Sequence, residues 1–330
     1  MMRTLSALAI LAVVAGAASA DAKTYFAETE KDFGVTAVGP ALVHYFPITN
    51  TSKNSVQMGT PVIQCGCVSA ALLKGTIAPG ETTYLVATMN TSKIPTHQIG
   101  ATKSVTVRVP FLSPTLEEVT LKVTTLARQD MLWSTTDGVV FGTVAKGKKA
   151  TASMKVTLYG NEKWEISEIK AAGLYIKGEA KVASRSGGQT TYEIIGDLDE
   201  KCPIGSWMSE ITIKTNASGI EKMRIPVTVN IVEPIISSPG NLKLGSLPMG
   251  LDQSLDVTLT GLQPFKVLDI KGGDATISAK AQTEGARHQH TLKISVKADK
   301  VGDLSRELKV ETDSKDMPTV VLPVSATVKK

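Results

Sequence analysis

The stretch Phe33-Gly34-Val35-Thr36-Ala37-Val38-Gly39 decides the reading of this chain, because it returns twice. Its echoes are Phe141-Gly142-Thr143-Val144-Ala145-Lys146-Gly147 and Leu244-Gly245-Ser246-Leu247-Pro248-Met249-Gly250. Each copy sets an aromatic or aliphatic residue before a glycine and closes on a second, turn-forming glycine. The leading glycines recur at a spacing of about 100 residues, one small domain per copy.

Working outward, the same landmarks follow each copy in the same order. An alternating strand comes first: Leu42, His44, Phe46 and Ile48, then Met154, Val156 and Leu158, then Leu255, Val257 and Leu259. Met58 and Ile63, Trp164 and Ile169, and Phe265 and Ile270 follow at one constant separation. A loop glycine (Gly100, Gly205, Gly302) precedes a further strand. Each copy closes on alternation, at Val119, Leu121 and Val123, at Ile225, Val227 and Val229, and at Leu322, Val324 and Ala326. Period-two alternation buries one face of a strand and wets the other, as in two sheets packed face to face. Few aromatics and many β-branched residues favour the same architecture. The chain is predicted to be all-β, with three tandem immunoglobulin-like β-sandwiches at 21–127, 128–233 and 234–330. The linkers hold no Gly/Ser-rich stretch, which predicts a stiff rod.

Residues 1–20 stand apart. Arg3, the apolar run from Leu5 to Ala15 and the small residues Ala18-Ser19-Ala20 have the layout of a cleaved secretory signal peptide. The apolar run is too short to span a bilayer, and no other segment qualifies. The expectation is an exported protein, periplasmic or displayed at the cell surface or outside it, without a transmembrane segment or a lipoprotein cysteine. The net charge of +5 is mild, and the basic residues are dispersed. Without a basic stripe interleaved with aromatics, nucleic acid is not an expected partner. No Gly-x-Ser-x-Gly elbow, phosphate loop or zinc-protease motif is present, so the chain is read as not an enzyme.

Three cysteines occur, Cys65, Cys67 and Cys202. An odd number leaves at least one thiol free, ligating or paired to another molecule. The turn Gln64-Cys65-Gly66-Cys67-Val68 corresponds to Lys170-Ala171-Ala172-Gly173 and Lys271-Gly272-Gly273-Asp274 in the other copies. Small residues suffice there, so the cysteines are an elaboration that packing does not require.

The combination of Phe33-Gly34, Ile48-Thr49-Asn50-Thr51-Ser52, Cys65-Gly66-Cys67 and Ile77-Ala78-Pro79-Gly80-Glu81 resembles the bacterial domain-of-unknown-function 1573 family over residues 24–127. The resemblance implies an exported immunoglobulin-like domain and carries no activity. Val68 departs from the threonine that usually follows the family's Cys-Gly-Cys.

Two residues apart on an extended strand, Cys65 and Cys67 would sit at the upper limit of disulfide geometry, and a turn at Gly66 would bring them closer. Four readings stand: a local disulfide, buried free thiols, a soft-metal site for copper(I) or zinc, and thiol exchange. A metal needs a further ligand, and His97, in the loop before Gly100 at the same end of the sandwich, completes a candidate set of Cys65, Cys67 and His97. Cys202 is expected to bridge neither cysteine. His288 and His290 share a strand face but lack a third ligand. Asn50, Asn90 and Asn216 head Asn-x-Ser/Thr triplets and read as turn residues. Trp133 and Trp207 have no counterpart in the repeats and serve either as exposed anchors or in buried or interdomain roles. The functional expectation is a non-catalytic binding or scaffold protein engaging a protein or cell-envelope partner, without a cofactor. The alternative is a redox- or soft-metal-handling protein using Cys65 and Cys67.

Overall fold

The computed structural model describes residues 21–330, and the expected signal peptide lies outside them. All regular secondary structure among the described residues is β-strand, apart from three short 3-10 turns. No helix among the described residues is long and apolar enough to cross a membrane.

The repeated glycine motif is a bulged opening strand. In each copy this strand runs parallel to the closing strand of the same copy. Glu30–Ala37 pairs with Glu117–Arg128, Val139–Ala145 with Lys222–Val232, and Leu242–Pro248 with Thr319–Lys329. In all three the register slips across the motif glycine, between Asp32 and Val35, between Val140 and Thr143, and between Lys243 and Ser246. Gly34, Gly142 and Gly245 hold φ of 72°, 69° and 68°, a left-handed conformation that a Cβ disfavours. The same device, repeated three times, is why the sequence repeats there.

In the first copy, a sheet of Ala41–Thr49, Thr82–Asn90 and Val68–Leu72 packs over the sheet that contains the opening and closing strands. Leu42, Phe46, Ile48, Leu85 and Met89 fill the space from one side, and Val107, Val109, Leu121 and Val123 from the other. In the second copy, Met131–Trp133, Ala150–Tyr159, Gln189–Leu198 and Ile176–Ser186 form one sheet. The facing layer contains Val139–Ala145, Lys222–Val232, Gly205–Thr215 and Ile166–Ala171, with Trp164 fully buried and edge-on to Tyr192. The third copy has two four-stranded sheets around Phe265, Leu292, Ile294 and Leu322.

The expected rod does not hold for the first two copies. Glu30–Ala37 has Glu117–Arg128 along one edge and meets Lys222–Val232 of the second copy along the other, at Gly34 and Val35 opposite Met223. One ten-stranded sheet therefore runs through both sandwiches, and their buried side chains form a single apolar cluster. The outer edge of this opening strand thus has a second partner, where a linear arrangement would leave it unpaired. The third sandwich keeps a separate core. A Lys148–Asp316 pair at 2.5 Å bridges it to the second.

Candidate functional site

Gly66 sits in a turn closed by Val68 N–H donating to the Cys65 carbonyl at 3.3 Å. The turn brings the Cα atoms of Cys65 and Cys67 to 5.3 Å, and their sulfurs form a disulfide. Cys67 is 2% exposed, whereas Cys65 is half-buried and Gly66 is exposed. The Cys67 backbone N–H donates to Cys65 Sγ at 3.2 Å. His97 lies on the 3-10 turn Thr96–Gln98, where its Nε2 is 3.2 Å from Gln98 Nε2. It is not gathered with the cysteines. Among the described residues no three His, Cys, Asp or Glu side chains converge as metal ligands, and two bonded sulfurs offer no thiolate.

Cys202 is a free, buried thiol. Burial and the Asp199 carboxylate push it above the ordinary thiol value. His290 is fully buried, with Nε2 donating to the Phe265 carbonyl at 2.7 Å and Nδ1 paired with the Thr283 hydroxyl at 2.9 Å. It ties neighbouring strands together inside the third core. Asn50 is likewise buried, its Oδ1 accepting from Ser52 and its Nδ2 donating to the carbonyls of Asn54 and Ile77.

A concavity of about 550 Å³ lies where the first two sandwiches meet. Its origin is the shared sheet. Along Lys222–Val232, Met223, Ile225, Val227, Val229 and Ile231 are buried, which turns Arg224 and Pro226 to the opposite face. Glu210 lies opposite Pro226 on the neighbouring strand. Over the first copy that opposite face is covered by the Ala41–Thr49 sheet, and over the second copy the cover stops. The groove is the resulting step. Met208, Glu210, Arg224 and Pro226 form its floor, Val43 and His44 one wall, and the turn from Ala172 to Ile176 the other.

The groove is apolar with a charged base. Leu174 is 91% exposed, Met208 42% and Trp207 37%. The Trp207 indole is fixed by an Nε1–H bond to the Pro203 carbonyl at 2.7 Å and stands edge-on to Tyr175. At the base, Lys31 Nζ lies 2.7 Å from Glu210 Oε2, and Arg224 donates to Glu210 Oε1. Burial alone would raise the Glu210 carboxyl, but Lys31 and Arg224 outweigh it and hold it below the ordinary glutamate value. Both carboxylate oxygens are thus engaged, yet Arg224 Nε is buried without a partner. His44 Nε2 pairs with Glu28 at 2.7 Å, and burial, only partly offset by Glu28, lowers its basicity.

The sequence singled out the cysteine turn and left this groove unread, apart from Trp207, whose lack of a repeat counterpart was the available signal. Lys31 and Glu210 are 179 residues apart, and no local pattern joins them.

With two-layer sandwiches, closing parallel strands and no α-helix among the described residues, the chain is an all-β protein of immunoglobulin-like sandwiches. Residues 24–124 match the family model described as a protein of unknown function (DUF1573), which bears out the family resemblance. No curated protein matches the chain. Among solved structures, a protein of unknown function from Porphyromonas gingivalis W83 is 12% identical, covering 60% of this chain and 99% of its own, with a TM-score of 0.26. An E-to-A variant of titin domains I67–I69 is 13% identical, covering 93% and 98%, with a TM-score of 0.24. The IG1 and IG2 domains of DIP-gamma are 12% identical, covering 61% of this chain and 98% of their own, with a TM-score of 0.29.

Proposed function

We propose that this is an exported, non-catalytic binding protein whose first two sandwiches act as one receptor body and capture a partner in the groove between them. The observation that carries this reading is the groove itself. It is a concave, largely apolar surface with a fixed indole and a few convergent charges, built where two domains meet. The reading invokes no cofactor. Photo-crosslinking from position 174 in the producing cell tests it, with position 116, another highly exposed leucine site outside the groove, as control. Discrete adducts are expected from position 174 alone and should vanish with Trp207→Ala. Equal adducts from both positions, or none, would overturn the reading.

A second reading, thiol–disulfide exchange at Cys65–Cys67, is favoured by one observation. The half-buried Cys65 sulfur already receives the Cys67 N–H, which would stabilise a thiolate there after reduction. Replacing both cysteines by serine separates the two readings. Groove capture should survive the change, whereas exchange with a small thiol such as reduced glutathione should be lost.

A further inference from the structure

We infer that the groove takes an extended peptide strand, added to the free edge of Ala41–Thr49 and carrying an acidic residue two positions from a large apolar one. This rests on the groove being the binding site and names the chemistry of its occupant.

The edge comes first. Ala41–Thr49 is laddered to Thr82–Asn90 along its whole length, from Ala41 opposite Asn90 to Thr49 opposite Thr82. Among the described residues its other side makes one backbone bridge, between Phe26 and Ile48, and one side-chain contact, between His44 and Glu28. An edge strand of this kind offers alternate N–H and C=O groups to a partner strand. Val43 and His44, in the open part of that edge, form a wall of the groove. A strand hydrogen-bonded there would lie about 4.8 Å further out, above the uncovered face of the second sandwich. It would continue the upper sheet over a floor that lacks a cover.

The floor selects the side chains. On the floor, Lys31 and Arg224 set two positive charges against the carboxylate of Glu210, which has both oxygens engaged, while the carboxylate of Glu28 is held at the wall by His44. An acidic side chain balances the charge. Leu174, Met208 and Trp207 offer apolar surface alongside. On a strand, residues i and i+2 share a face, so the acid and the apolar residue reach the floor together when one position separates them. A fatty acid would meet the charge and the apolar surface but would leave the open backbone edge unpaired, which favours the peptide.

The test uses the full chain and a displayed library of short random peptides, followed by synthesis of the enriched sequence. Enrichment of an acid two positions from a large apolar residue is expected. Arg224→Gln should weaken the synthetic peptide by about tenfold or more, with the melting curve checked in parallel. Replacing the acid in the peptide by its amide gives the same readout on the unaltered protein. Backbone N-methylation should abolish binding at one alternate set of peptide positions and be tolerated at the other. Sodium decanoate should not displace the peptide.

Three results would overturn the inference: enrichment without an acid, indifference to Arg224→Gln and to the amide, or equal tolerance of N-methylation everywhere. Decanoate binding in place of peptide would also overturn it. If crosslinks from position 174 persist in those cases, groove capture stands and only the peptide inference falls. If crosslinks are absent as well, both fall.

Discussion

Gly34 of the first sandwich lies in parallel register with Met223 of the second, so the strand Glu30–Ala37 belongs to two sandwiches at once. Sequence copies and cooperative units therefore differ in number. The first two copies share one apolar cluster, and the third has its own.

Calorimetry is expected to resolve two unfolding transitions rather than three. Trp164→Ala should lower one by about 3–5 kcal/mol, and Phe265→Ala should lower the other by a similar amount. Both side chains are fully buried, in different clusters. A variant that shifts both transitions equally would contradict this division.

Substitution at the motif glycines should be unequal. Gly34→Ala incurs the left-handed backbone cost of about 1–2 kcal/mol and also brings a Cβ to 3.1 Å from the Lys222 carbonyl of the neighbouring sandwich. Gly245→Ala meets nothing within 4 Å and should incur only the backbone cost. Denaturant titration of the two variants decides the ordering, and a larger loss at Gly245 would refute it.

Acid should loosen the joint between the first two sandwiches. The Glu210 carboxyl is held low in the folded protein, so its stabilisation is complete above about 4.5 and is lost as the pH falls through the lowered value. His44, also lowered, contributes above 6.5 and loses its contribution as the pH drops below that. Both effects run in the same direction. Glu210→Gln leaves Lys31 and Arg224 without their counter-charge and should reduce stability at neutral pH by about 1–3 kcal/mol, the groove's partial exposure moderating the loss. It should also flatten the lower part of the acid profile. An unchanged profile in thermal melts across pH would contradict the role assigned to the pair.

The thiols give a direct count. Native protein should take up no alkylating label at neutral pH, because Cys65 and Cys67 are bonded and Cys202 is buried. The raised Cys202 value means less thiolate at any given pH, so labelling should appear only as the pH climbs beyond the ordinary thiol range. Unfolding without reductant should expose one thiol, and reduction should raise the count to three. Intact-mass measurement reads all three states, and label on Cys65 in the native protein would refute the assignment.

Much of the fold is legible in the sequence because local geometry imposes it. Gly34, Gly142 and Gly245 recur because each opening strand needs one left-handed residue to slip its register. Leu42, Phe46 and Ile48 alternate because one face of their strand is buried. The cysteine turn stood out because two other copies manage the same bend with alanine and glycine. The groove is a different kind of object. It arises where one sheet outlasts its cover, and its base joins Lys31 of one copy to Glu210 and Arg224 of another. Such a juxtaposition depends on which edges meet, and alternation within a strand carries no information about that.

The shared strand also makes the copies unequal in what the chain can lose. Without the third copy, the remaining core would stay closed. Without the second, Glu30–Ala37 would forfeit its neighbour at Gly34 and bare a hydrogen-bonding edge to other molecules. Heredity can shorten this chain from its tail far more safely than from its middle.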